Sequence, residues 1–182
     1  MFFKRDNFCK GKKELYKIVV ARSDITAALN ACNLFLSRVK DFGDSLYIPL
    51  LNAIIVCYSR PFSKNKPSGP LPKKWHRFNN SRFQEIHKAL LKLRNKTIAH
   101  SDLEIRKVFI IPKGARIRKT DIKSEGLGVS VSFRALPIEI FPEIRNLCLD
   151  LGGRLNIEVK ERLELLFGDK DLPSEEFELT FD

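Results

Sequence analysis

Apolar residues recur at alternating three- and four-residue steps along most of this chain, the pattern of helices that each bury one stripe. Ile25, Ala28, Leu29, Cys32, Phe35, Leu36 and Val39 share a face behind a Ser23-Asp24 cap signal. Leu15, Ile18 and Val19 carry that face back to Glu14, whereas residues 1–13 are basic and unpatterned and read as a loose lead-in. Asp44-Ser45 opens a second helix through Leu50, Leu51, Ile54, Ile55 and Tyr58. It is apolar on nearly every side, as suits a bundle centre or an oligomer interface, and Pro61 ends it. Ser81, with Gln84 three residues on, makes a capping-box signal for a third helix. Its stripe is Phe83, Ile86, Leu90, Leu93 and Thr97, and the next position in the series is His100. Pro137 or Pro142 starts a last helical region, with Phe141, Ile144, Leu147, Cys148 and Leu151 on one face. Gly152-Gly153 allows a kink or break there, before Leu155, Val159, Leu163 and Leu166 resume the stripe as far as Gly168.

Two stretches depart from this period. Residues 63–80 form a long loop in which Lys64, Lys66, Lys73, Lys74 and Arg77 alternate with Trp75, His76 and Phe78. Basic groups beside aromatic faces suit single-stranded RNA, and a Trp75 tucked into the core is the competing reading. Between 104 and 134 the period shortens to two, with Val108, Phe109 and Ile110 in one run and Val129, Val131 and Phe133 in another. This predicts a β-hairpin insertion whose connection carries Lys113, Arg116, Arg118, Lys119 and Lys123. The expected architecture is mainly α: one helical-bundle domain over 1–168 with a small hairpin insertion, and an acidic tail over 169–182.

Charge sharpens the picture. The chain of 182 residues carries a net +11, yet its tail holds six acids against Lys170, so the first 167 residues carry +16. That excess favours a polyanionic partner, nucleic acid before membrane, because no basic amphipathic anchor stands out. The longest apolar run, Tyr47 to Tyr58, is too short to span a bilayer and is interrupted by Pro49 and Asn52. The start lacks a continuous apolar signal core. Cys9, Cys32, Cys57 and Cys148 show no paired spacing, which fits free thiols in a reducing cytoplasm. There is no phosphate-binding glycine loop, metal-ligand cluster or nucleophile–base spacing, so no cofactor or metal is expected.

The remaining candidate chemistry lies near the end of the third helix. Arg94 and His100 are six residues apart, about 9 Å along a helix axis and about 120° around it. One straight helix cannot aim both at a small target. They share one only if the helix unwinds near His100 or two copies meet across a symmetric dimer. His87 lies two turns before Arg94, and Arg60 ends the second helix; both are candidates to line such a site.

Arg94-Asn95-Lys96-Thr97-Ile98-Ala99-His100 resembles the signature of the HEPN superfamily: an arginine, a polar residue after it, and a histidine four to six residues beyond the arginine. RNKTIAHSD looks most like the abortive-infection-type members. The resemblance implies a four- or five-helix up-and-down bundle that dimerises through the motif helix and forms one metal-independent ribonuclease site. The residues carried over are Arg94, Asn95 and His100. In such a site His100 serves as general base or acid, because its pKa lies near neutrality. Arg94 offers a planar fork to the scissile phosphate, Asn95 orients Arg94 or the 2′-OH, and Asp102 supports the imidazole. Lys96, Arg60, Lys73, Lys74 and Arg77 are the candidate RNA contacts. The implied partners are RNA, a second copy, and an antitoxin or other regulatory protein. Two other readings stay open: a non-catalytic HEPN module binding RNA, nucleotide or protein, and a helical protein in which His100 is a core or capping group and Arg94 an ion-pair partner.

Overall fold

The computed structural model describes residues 2–64, 69–97, 106–116, 122–133 and 136–180. Four α-helices make up most of the described residues: α1 (Phe2–Arg38), α2 (Tyr47–Ser59), α3 (Ser81–Thr97) and α4 (Phe141–Phe167). α1 packs against α2 and α4, and α3 against the other sides of α2 and α4, so the four close around one core. The antiparallel strands β1 (Arg106–Ile111) and β2 (Gly128–Phe133) form a two-stranded ribbon, pairing Val108 with Val131 and Ile110 with Val129. The mainly helical architecture and the hairpin are thus both present, and no described helix is long and apolar enough to cross a membrane.

The stripes become the core. Ile18, Ile25, Ala28, Cys32 and Phe35 of α1 meet Phe141, Ile144, Leu147, Leu151 and Leu155 of α4. α2 fills the centre with Tyr47, Leu51, Ile54, Ile55 and Tyr58, and α3 contributes Ile86 and Leu90. At one end Phe35 stacks on Phe141 at 3.6 Å between ring centroids, with Tyr47 edge-on to Phe35. The edge-to-face contacts of Tyr47 with Phe35 and Phe141 add to the area these rings bury. Cys32 and Cys148 are buried thiols, and burial pushes Cys32 up to about 12. Cys57 and Cys9 are half-buried.

Three boundary expectations are corrected. The lead-in is not loose: α1 begins at Phe2, and Ser23-Asp24 lies inside it. Sequence periodicity missed this because the first turns dock on the far end of α4, where Phe8 sits edge-on to Phe167 and Gly11 approaches Leu166. Nor does α4 break at Gly152-Gly153; it runs through both. Packing along α1 holds the helix there, at the cost of about 1 kcal/mol per glycine relative to alanine. The second helix starts at Tyr47, not Asp44, with the Asp44 carboxylate accepting from the Leu46 N–H just ahead of it. Pro61 follows in a 3-10 turn, and Pro142 occupies the first turn of α4.

Candidate functional site

α3 carries the motif, and its start explains its register. The cap is Asn80 rather than Ser81: the Asn80 side-chain oxygen accepts from the N–H groups of Arg82 at 2.9 Å and Phe83 at 3.3 Å. Gln84 turns back past the cap and accepts from the Phe78 N–H at 3.2 Å. An amide reaches the free N–H groups of a first turn as well as a hydroxyl does, so the local pattern fits either cap. From there Phe83, Ile86, Leu90 and Leu93 face the bundle as their spacing predicts. Arg94 and Asn95 follow in the last described turn, half-exposed and exposed. The Arg94 guanidinium donates to the Asn95 side-chain oxygen at 3.3 Å. His100 and Asp102 lie outside the described residues, as does the side chain of Lys96.

The basic loop is held more tightly than its composition suggests. Trp75 is 3% exposed in a 3-10 turn spanning Lys73–His76, so its face is not offered for base stacking. Arg154 of α4 anchors the loop, donating to the carbonyls of Arg77 at 3.1 Å and Lys74 at 3.4 Å. Its guanidinium also lies over the rings of Trp75 and Phe78. The Lys74 ammonium pairs with Glu158 at 2.8 Å. Burial works to raise the Glu158 carboxyl, but hydrogen bonds from Lys74 and Arg162 outweigh it and hold the group below its usual range. Arg60 pairs with Asp24 at 3.4 Å, where burial outweighs the arginine and raises the Asp24 carboxyl. Of the sequence-predicted RNA contacts, Lys73, Arg77, Lys74 and Arg60 are all exposed, the last two in surface ion pairs with Glu158 and Asp24.

Two features were not legible as such in the sequence. Lys88 and Lys92 are exposed on α3, and Lys96 is the next position in that four-residue series, so a basic stripe runs along the motif helix, about 120–160° around it from Arg94. The signal was the lysine spacing, hidden among other charges. The second feature is a buried relay. His87, 2% exposed, receives the Tyr58 hydroxyl at its Nδ1 at 2.8 Å, and its Nε2 lies 3.3 Å from Nδ1 of His76. Phe62 and Phe78 wall the ring at 4.7 and 5.2 Å between centroids. A neutral ring satisfies every partner when Tyr58 donates to Nδ1 and Nε2–H donates to His76. Burial, then the neighbouring His76 and Lys88, pull His87 down to about 4. Burial also lowers His76, against a hydrogen bond to the Leu71 backbone. His87 therefore ties α2 to α3 and the loop, and its buried ring does not line a surface beside Arg94.

Among the described residues no three histidine, cysteine or acidic side chains gather as a metal site would need. Comparison with protein-family models, with curated proteins and with solved structures finds no match for this chain.

Proposed function

We propose that the chain is a metal-independent endoribonuclease of HEPN type, acting in a composite site built from two copies of the motif. The observation that carries this reading is the Arg94–Asn95 pair, joined side chain to side chain at the accessible end of a basic helix in a four-helix bundle. A guanidinium held by a neighbouring amide is preorganised for a phosphate, and in-line attack of a 2′-OH needs charge stabilisation on the transition state. His100 takes the proton from the 2′-OH or gives one to the leaving oxygen, with Asp102 supporting its ring. The products are a 2′,3′-cyclic phosphate and a 5′-hydroxyl. The biological setting that goes with this activity is a toxin or abortive-infection effector restrained by an antitoxin or regulatory protein.

The alternative is a non-catalytic HEPN module binding RNA, nucleotide or a partner protein. It is favoured by one finding, that Trp75 is buried, which takes its ring out of the expected RNA groove. Incubating a mixed-sequence single-stranded RNA with excess EDTA, wild type beside His100→Ala, separates the two. Cleavage by wild type alone supports the ribonuclease. Equal binding without cleavage moves the conclusion to the binding module, and equal cleavage by both proteins removes His100 from the chemistry.

A further inference from the structure

Tyr58, His87 and His76 form one line of hydrogen bonds that leads out of the core. The Tyr58 hydroxyl donates to Nδ1 of His87 at 2.8 Å, and Nε2 of His87 lies 3.3 Å from Nδ1 of His76. Beyond it the His76 ring bonds the Leu71 backbone. The Leu71 N–H is already given to the Pro61 carbonyl at 2.7 Å, so the carbonyl of Leu71 is the group that His76 meets. Neutral rings fill this line completely: His87 donates from Nε2 to His76, and His76 donates to Leu71.

The line has no place for another proton. Protonation of His76 makes its Nδ1 a donor facing the His87 N–H. His87 can move its hydrogen to Nδ1 only if Tyr58 turns from donor to acceptor, which strands the hydroxyl hydrogen in the core. No carboxylate is among the groups that shift either ring, and Lys88 of α3 adds a like charge. From α4, Cys148, Arg154 and Asp150 act on the Tyr58 hydroxyl, and Lys73, Lys74 and Arg77 flank His76 in its own loop.

The three members are not held alike. Tyr58 and His87 are 0% and 2% exposed on packed helices. His76 is half-buried and ends a single 3-10 turn, Lys73–His76. In that same turn the buried Nε1–H of Trp75 has no hydrogen-bond partner among the described residues, so the turn gains a bond to water on opening.

We propose that His76 is an acid-released latch: on taking up a proton it carries the Lys73–His76 turn off α3 while the four-helix core stays folded. His87 then remains neutral beside Tyr58 and gives its Nε2–H to water. Burial holds the closed His76 ring below 6.5, against the Leu71 hydrogen bond. In water the ring returns to about 6.5, so the open form takes the proton first. Opening therefore grows as pH falls below about 6.5, by at most about tenfold per pH unit. The tethers to α4 set its cost but not its pH response, since Arg154 stays charged and Glu158 is held below its usual range. The latch uses neither Arg94 nor His100 and stands apart from the ribonuclease reading.

The test is amide hydrogen exchange, read by NMR on the full chain at about pH 7.5 and about pH 5 and corrected for the intrinsic effect of pH. Leu71 and Trp75, whose N–H groups bond Pro61 and Pro72, report on the loop, and Ile54 and Leu147 on the helices. In wild type the loop amides should exchange about tenfold faster at the lower pH, with no further rise in about 0.5 M urea, because a local opening exposes little surface. His76→Gln keeps an acceptor for His87 but takes no proton in this range. With circular dichroism unchanged, its loop exchange should lose the acid response. Loop exchange indifferent to pH in wild type overturns the proposal, as does an equal acid response in His76→Gln. So does loop exchange that rises with urea as steeply as that of Ile54 and Leu147, since the turn would then open only with the whole bundle. None of these outcomes bears on cleavage of RNA by His100.

Discussion

Acidification should weaken this fold before its carboxylates begin to titrate, and the cause should be His87. The ring is buried between Tyr58 and His76, with Phe62 and Phe78 against it. A protonated ring has two donors and no acceptor. Tyr58 would then have to accept instead of donate, leaving its own hydrogen inside the core. Burial first, then the neighbouring His76 and Lys88, hold the ring at about 4 in the folded protein, against 6.5 for a free histidine. Because the folded value is depressed, the unfolded chain takes up the proton first, and stability falls as pH drops through the window from about 6.5 to about 4. The full shift corresponds to about 3 kcal/mol, of which about 2 kcal/mol is already lost at about pH 5. His76, lowered in the same direction, adds to the loss. Asp24, whose carboxyl is raised, opposes it only toward the carboxylate range. Urea unfolding followed by Trp75, the single tryptophan of the chain, and by circular dichroism at about pH 8 and about pH 5 measures the difference. His87→Gln, which keeps a donor and an acceptor, should be less stable at about pH 8 and should lose most of the pH dependence. Equal wild-type stability at the two pH values, or an unchanged slope in His87→Gln, would refute the reasoning.

Other perturbations test the remaining arguments. Arg154→Met removes two hydrogen bonds and a cation resting on two rings, and should destabilise by about 2 kcal/mol while making Trp75 more accessible to acrylamide quenching. Gly153→Ala places a methyl in open space inside α4, and should raise stability by about 1 kcal/mol, read as a higher melting temperature. Leu90→Ala empties a fully buried position on the α3 stripe and should cost about 2–5 kcal/mol in the same assay. If the ribonuclease reading holds, Arg94→Lys keeps the charge but loses the fork, and EDTA-resistant cleavage should fall by about 100-fold with helicity unchanged.

Helix spacing carried most of the core, because burial of one stripe per helix is written in local order. Leu90, Ile54, Cys148 and Phe141 are buried where their periods put them. The ribbon was legible for the same reason, since alternation at 128–133 survives in its register with 106–111. The motif string Arg94 to His100 was legible too, and the adjacency of Arg94 and Asn95 follows from their being neighbours on one helix. What composition could not decide was which charges and rings face water. Trp75 read as either a stacking face or a core group, and it is Arg154, distant in sequence, that lies over its buried ring. Lys74 and Arg60 stay exposed in pairs with Glu158 and Asp24. The Tyr58–His87–His76 relay was equally hidden, because its members come from three separate segments and only packing brings their nitrogens and oxygen within hydrogen-bond reach. Local pattern sets which face of a helix is dry; the partner on that face is chosen by contacts between segments far apart along the chain.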